Sequence, residues 1–194
     1  MYAYLQGKFT YKSPAQVNVD VNGIGFEVNI SLNTYSQIQQ LKEGKLFIQL
    51  QVKEDAHVLY GFFEKVEKDM FLMLTSVSGV GAATARMMLS SLKPEEINTA
   101  IRQGNVKLLE SVKGIGKKSA ERLILELKDK AGKLSAEGTE ITGMGNSLEK
   151  DALNALIALG ITRSQAEQSI RKILLAEPTE LLLEDLIKKA LKAI

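Results

Sequence analysis

The sequence predicts an α+β chain of several modules: an N-terminal β-barrel, a middle all-α domain and a C-terminal three-helix module. Hydrophobic residues alternate with period two over the first third of the chain and shift to helical spacing near residue 64. Residues 131–146 then lose all periodicity before a last group of helical segments. With 194 residues, 45% hydrophobic and 25% charged, the chain can build more than one core and is not wholly disordered.

Five short antiparallel strands are expected within residues 1–63, over Tyr2–Tyr11, Gln16–Val21, Ile24–Ile30, Lys45–Val52 and His57–Phe62. Val17, Val19 and Val21 alternate with polar residues, and Phe26, Val28 and Ile30 do so again after Asn22-Gly23. An Asn-Gly pair between two such runs is a strong hairpin signal, because a tight hairpin turn needs positive φ at both central residues. Leu46, Ile48, Leu50 and Val52 lead to a polar tip, Lys53-Glu54-Asp55-Ala56, and Val58, Tyr60 and Phe62 lead away, with Tyr60 and Phe62 expected in the barrel core. Residues 33–41 read as a helical insert. This pattern suits an OB-fold or another five-stranded barrel.

Residues 64–130 follow 3/4 spacing, through Phe71, Leu74 and Val77 and then Met88 and Leu92. Lys93-Pro94-Glu95-Glu96 opens a further helix, with proline at its first position and acids where they favour the macrodipole. Asn105 is placed to cap a short helix containing Leu108 and Leu109. A last helix over 117–130 carries Ala120, Leu123, Ile124 and Leu127 on one face. Residues 131–146 read as a flexible tether. Residues 147–194 give three helices, the first with Leu153, Leu156, Ile157 and Leu159 inward and ended by Gly160, the second opened by a Thr162/Gln165 capping box, the third over 179–192. Fewer than about 50 residues make a marginal core, which suits a small UBA-like adaptor that gains stability from a partner.

The middle segment repeats itself. Val77-Ser78-Gly79-Val80-Gly81 and the following Ala82-Ala83-Thr84-Ala85 align without a gap with Val112-Lys113-Gly114-Ile115-Gly116 and Lys117-Lys118-Ser119-Ala120, 35 residues later. Two copies are too few for a solenoid and point to a paired unit. Each copy is a tight turn that opens a helix. Its glycines allow a backbone path that side chains would block, its successive N–H groups can form an anion nest, and the helix adds a positive N-terminus. The turn therefore suits a phosphate, although a plain helix-capping turn would leave the same trace. Lys117, Lys118 and Arg122 surround the second copy.

Charge divides in the same way. The net of +2 (25 basic, 23 acidic) splits into zero over 1–63, +3 over 64–130 and −1 over 131–194. The excess lies with the phosphate-type turns and is modest, so binding should be salt-sensitive and use few phosphates per chain. No recognition-helix signature is present, which favours backbone or shape recognition over base readout. Cys is 0 and His is 1, which excludes thiolate chemistry and a disulfide framework and makes a His-based triad or metal site unattractive. No metal or cofactor is expected. A P-loop fails because Lys118 and Ser111 stand where Ser/Thr and the first Gly belong, and the dinucleotide fingerprint fails at Thr84 and Ser119. With no visible signal peptide and no membrane-length apolar run, a cytoplasmic location is expected.

The paired helix-hairpin-helix motifs, Ser78-Gly79-Val80-Gly81 and Lys113-Gly114-Ile115-Gly116-Lys117-Lys118, follow a small barrel that ends Val52-Lys53-Glu54-Asp55-Ala56-His57 and on to Phe62. In this combination the whole chain resembles the RuvA family, the Holliday junction branch-migration subunits of bacteria. The resemblance implies a homotetramer, one or two of which hold four-way junction DNA on a basic face. Phosphates would be gripped at Gly79, Val80 and Gly81 and at Gly114, Ile115, Gly116, Lys117, Lys118 and Arg122. It implies that Glu54 and Asp55 form an acidic pin at the junction centre, where carboxylates repel phosphate; without the family, that tip would read as ordinary solvated charge. It further implies that the C-terminal module binds the hexameric ATPase RuvB, with Leu156, Leu159 and Ile161 as candidate contacts, and that the nuclease RuvC is a further partner. One departure is visible: where the family often has a basic residue after the first Gly-Val-Gly, this chain has Ala82-Ala83, with Arg86 a turn further on. An asymmetric pair of hairpins is therefore expected.

Other classes fit less well. A helix-hairpin-helix glycosylase or lyase would carry a catalytic Asp just beyond the hairpin, as in Gly-Pro-Asp, and only Asp129 lies near. A metal-dependent nuclease would need paired acids near the hairpins. His57 reads as a satisfied surface or barrel histidine. An adaptor that binds no DNA would leave the basic second hairpin unexplained.

Overall fold

A computed structural model describes residues 2–137, 144–176 and 181–193. The chain forms two compact units, residues 1–138 and 139–194.

The first unit begins with a closed, OB-like five-stranded barrel of order β1-β2-β3-β5-β4, built from β1 (Tyr4–Ser13), β2 (Gln16–Val21), β3 (Ile24–Ile30), β4 (Glu43–Val52) and β5 (His57–Phe62). Asn22 and Gly23 take positive φ, 53° and 89°, as the two-residue turn between β2 and β3 requires. One pair departs from the all-antiparallel expectation: β3 and β5 run parallel, with Val28 opposite Leu59. The cause is α1 (Leu32–Ile38), which carries the chain from β3 to β4, so that β5 returns beside β3 in the same direction.

The barrel interior is filled by Leu5, Phe9, Val17, Val19, Val28, Ile30, Ile38, Leu46 and Ile48. Tyr60 and Phe62 do not join it, contrary to the sequence expectation. Alternation along β5 aims them outward, against Phe71 of α2 (Lys65–Thr75), with ring centroids 5.0 Å apart in both pairs. They belong to the core of the helical part, together with Met70, Leu74, Met88, Ile97 and Leu123. Period two identified the strand but could not say which of its faces meets the barrel and which the helices. Each ring buried there contributes about 1.5–3 kcal/mol.

Polar contacts also join the barrel to the helices. The hydroxyls of Ser31 and Thr34 donate to the two carboxylate oxygens of buried Glu67 on α2. The Phe63 N–H donates to Thr34 Oγ1 at 3.0 Å. Burial pushes the Glu67 carboxyl up from its ordinary value, and Glu64 adds to the rise; the two hydroxyl donors oppose it. Between the ordinary and the raised value, the folded chain keeps a proton there that the unfolded chain releases. This contribution to stability is complete below the ordinary carboxylate range and is lost as pH rises through the raised value. In equilibrium unfolding, the stability of Glu67→Gln relative to the parent should therefore increase with pH over this window. A difference that does not vary with pH would contradict this.

The helical part continues with α3 (Ala82–Ser91), α4 (Pro94–Gln103), α5 (Val106–Glu110) and α6 (Lys117–Glu137). Asn105 caps α5 as expected, its Oδ1 accepting from Leu108 N at 3.1 Å. Helix α6 runs seven residues beyond the expected end at residue 130, since Ala131, Lys133, Leu134, Ala136 and Glu137 are good helix formers and no proline intervenes. The expected tether is thus helical over 131–137 and, in α7, over 144–146; residues 138–143 lie outside the described residues.

The second unit is three helices, α7 (Met144–Ala158), α8 (Arg163–Ala176) and α9 (Leu183–Ala193), around Ala152, Leu156, Ala166, Ile170, Ile173, Leu186 and Ala190. Gly160 (φ 91°) ends α7: its N–H meets Ile157 O, and the Ile161 N–H reaches back to Leu156 O. Thr162 and Gln165 meet side chain to side chain, the hydroxyl 2.6 Å from Gln165 Oε1. The expected start of the third helix at residues 179–180 lies outside the described residues.

Candidate nucleic-acid interface

The two repeats fold alike. In the first, the Val80 N–H donates to Val77 O at 3.0 Å, with Gly79 at φ 90°; in the second, the Ile115 N–H donates to Val112 O at 3.0 Å, with Gly114 at φ 94°. A four-residue turn with positive φ at its third position has the form of a type II turn, which demands glycine there. Val77, Val80, Val112 and Ile115 are buried in the helical core and anchor the turns, while all four glycines are exposed. The repeat extends one residue further upstream than the sequence alignment suggested. Ser76 and Ser111, 35 residues apart, each donate a hydroxyl to the carbonyl three residues earlier at 2.7 Å. Serines are too common in turns for that match to stand out in sequence alone.

Gly81 and Gly116 begin the helices α3 and α6, their carbonyls accepting from Ala85 and Ala120 at 2.9 Å. A glycine has no side chain with which to cap a helix, so the orphan N–H groups of the first turn remain free for an outside acceptor. A Cβ on Gly81 or Gly116 would meet nothing within 4 Å, and neither residue has positive φ. Nothing within the fold demands glycine at these two positions. What their bareness provides is close approach of an external group to the backbone.

The surroundings of the turns differ. Lys117 and Lys118 lie exposed in the first turn of α6, and Lys113, at the second position of the turn itself, is exposed beside them; sequence reasoning passed over it inside the motif. Arg122 is exposed one turn later but forms an ion pair with Glu126, Nε to Oε1 2.6 Å. The first copy has buried Ala82 and exposed Ala83 in place of Lys117 and Lys118. Arg86 does not make up the difference: its Nη1 donates to Asn29 Oδ1 at 2.8 Å and to Ala15 O at 3.1 Å, which turns it onto the barrel.

At the β4–β5 connection, Val52 and His57 are the last paired residues, and the Lys53 N–H closes the tip on Ala56 O at 2.8 Å. Glu54 and Asp55 stand exposed at the apex, and neither meets a cation among the described residues. Bare carboxylates and cationic turns thus belong to one compact unit.

In the second unit the candidate partner residues separate. Leu159 is 62% exposed, against the inward position expected for it, and Ile157 is 40% exposed. Leu156 is fully buried in the core of this unit, and Ile161, partly buried, packs against the same core.

The chain matches the family model described as the RuvA N terminal domain over residues 1–61, the SAM-like helix-hairpin-helix tandem over 71–129, and the RuvA C-terminal domain over 147–194. A Cytophaga hutchinsonii protein and a Christiangramia forsetii protein, each named Holliday junction branch migration complex subunit RuvA, are 47% identical to it over 99% of both chains. The chain belongs to the RuvA family. A Bacteroides fragilis RuvA is 43% identical over the same share of each chain. The three matched segments follow the barrel, the duplicated turns and the last three helices in order.

Proposed function

We propose that this chain is the junction-binding subunit of a branch-migration complex. It assembles as a homotetramer, holds four-way DNA open and recruits the hexameric ATPase RuvB, leaving bond chemistry and ATP to its partners. What carries this reading is the duplicated turn whose helix-opening glycines face open space, set with free lysines in the same unit as an unpaired acidic tip. Gly79–Gly81 and Gly114–Gly116 bind phosphates through backbone N–H groups, and Lys117, Lys118 and Lys113 add charge at the second turn. Glu54 and Asp55 push phosphate away at the crossover and disfavour continuous duplex.

The second unit serves as the docking module for RuvB, with Leu159 as its accessible apolar contact. RuvC is a further partner on the assembled junction, and the setting is cytoplasmic. No helix among the described residues is long and apolar enough to cross a membrane.

Mixing the chain with a four-way junction, a RuvB hexamer and ATP tests the proposal. Strand exchange is expected only when both proteins are present, with a solution mass about four times 21.3 kDa for this chain alone. Exchange that proceeds as well without this chain would overturn it. Neutralising the tip with Glu54→Gln and Asp55→Asn should raise linear-duplex affinity severalfold in a gel-shift titration; no rise would contradict the repulsion account.

A further inference from the structure

The first hairpin holds an arginine that the phosphate-binding reading does not use. Arg86 lies on α3, the helix that the first turn opens, and corresponds in the repeat to exposed Glu121 of α6. The two copies have therefore diverged at this position as well as at Ala82-Ala83 against Lys117-Lys118.

The Arg86 side chain is half-buried, and its Nη1 bridges two parts of the barrel: Ala15 O, in the turn between β1 and β2, and Asn29 Oδ1 on β3. The Asn29 amide Nδ2 in turn lies 3.4 Å from the carbonyl of Leu59 on β5, the strand that leaves the acidic tip. Further along α3, Ser90 Oγ accepts from Leu32 N at 3.1 Å, and Asn33 Nδ2 donates to the carbonyls of Leu89 and Leu92. Hydrogen bonds thus link α3, the helix that the first turn opens, through Arg86 and Asn29 to β5, the strand that follows the Glu54-Asp55 tip.

We propose that Arg86 and Asn29 are positioning residues that fix the first hairpin at a set distance and angle from the acidic tip, and that this spacing lets the protein tell a four-way junction from a linear duplex. The inference rests on the junction-binding reading. A junction offers its phosphates and its crossover in a fixed relation, whereas a duplex can shift along the protein until it escapes the tip. Selectivity therefore depends on rigid spacing between the attracting and repelling elements, while basal phosphate affinity does not. The guanidinium contributes by its two fixed bonds and has no phosphate of its own.

The test uses the full-length protein with Arg86→Ala, Asn29→Ala, the double variant and Asn29→Asp, which keeps the acceptor for the guanidinium. Affinities for a four-way junction and for a linear duplex of the same sequence are measured across a salt series, beside thermal unfolding of each preparation. Each alanine variant should lower the junction-to-duplex ratio about five- to twentyfold, the double variant no further than the lower single, with an unchanged salt slope; Asn29→Asp, which keeps the bond to Arg86 and loses the one to Leu59, should fall between the parent and Asn29→Ala. A salt slope reduced by about one phosphate in Arg86→Ala, with Asn29→Ala unaffected, would overturn the proposal in favour of a direct phosphate contact. A lower melting temperature with an unchanged ratio would overturn it in favour of a simple brace. A parent protein without junction preference would instead strike at the function itself, so the two failures are distinct.

Discussion

Replacing Lys117 and Lys118 with alanine should weaken binding to a four-way junction by about 10- to 100-fold at moderate salt. It should also make the affinity less salt-dependent, the slope falling by about 0.9 for each phosphate that is no longer neutralised. The same change should leave the fold intact or strengthen it slightly. Both lysines sit in the first turn of α6, which has no acidic residue. A cation there opposes the helix macrodipole at a cost of about 0.3–1 kcal/mol. Both are exposed and neither forms an ion pair among the described residues, so the fold gains nothing from them. Helix α4 shows the opposite arrangement, with Glu95 and Glu96 in its first turn and Glu96 Oε2 accepting from Lys93 N at 2.7 Å. Junction affinity that survives the double substitution would show that the second hairpin does not bind through these side chains. The corresponding change at the first hairpin cannot be made, since Ala82 and Ala83 are already neutral.

The glycines allow stability to be separated from binding within one turn. Gly114→Ala places a Cβ on a residue at φ 94° and should cost about 1–2 kcal/mol in equilibrium unfolding. Gly116→Ala places one in open space on a residue without positive φ, so its melting temperature should stay within a degree or two of the parent. Its junction affinity should nevertheless fall about tenfold or more, because the new methyl group stands where a phosphate approaches the free N–H groups. Gly81→Ala should behave in the same way at the first turn. If Gly116→Ala and Gly81→Ala both bind as the parent does, the turns are helix caps and nothing more.

Much of this was legible in the sequence because local rules and tertiary structure agree. Asn22-Gly23, the alternation in β2 and β3, the Asn105 cap and the Gly160 helix end each depend on contacts within a few residues. The duplicated turn was legible for the same reason. What could not be read depends on contacts far along the chain. Tyr60 and Phe62 look like barrel residues until α2 is seen to cover the outer face of β5. Arg86 reads as a free cation near a phosphate turn, and only the approach of Ala15 and Asn29, more than 50 residues earlier, shows it to be occupied. Leu156 and Leu159 are three residues apart on one apolar stripe, yet one is buried and the other exposed, because α7 ends at Ala158 and Leu159 lies just past it. Glu67 gave no signal at all, since nothing local marks a carboxylate that will be buried against two hydroxyls.

Under the proposed function, attraction at the turns and repulsion at the tip together make a selective, noncatalytic junction binder. The most direct measurement is the affinity of the intact protein for a four-way junction and for a linear duplex of identical sequence, with and without Mg²⁺, with the strands then resolved on a denaturing gel. The junction should bind tighter by at least about tenfold, affinity for both DNAs should fall steeply with salt, and the strands should remain whole. Equal affinity for the two DNAs, or cut strands in Mg²⁺, would contradict the proposed function.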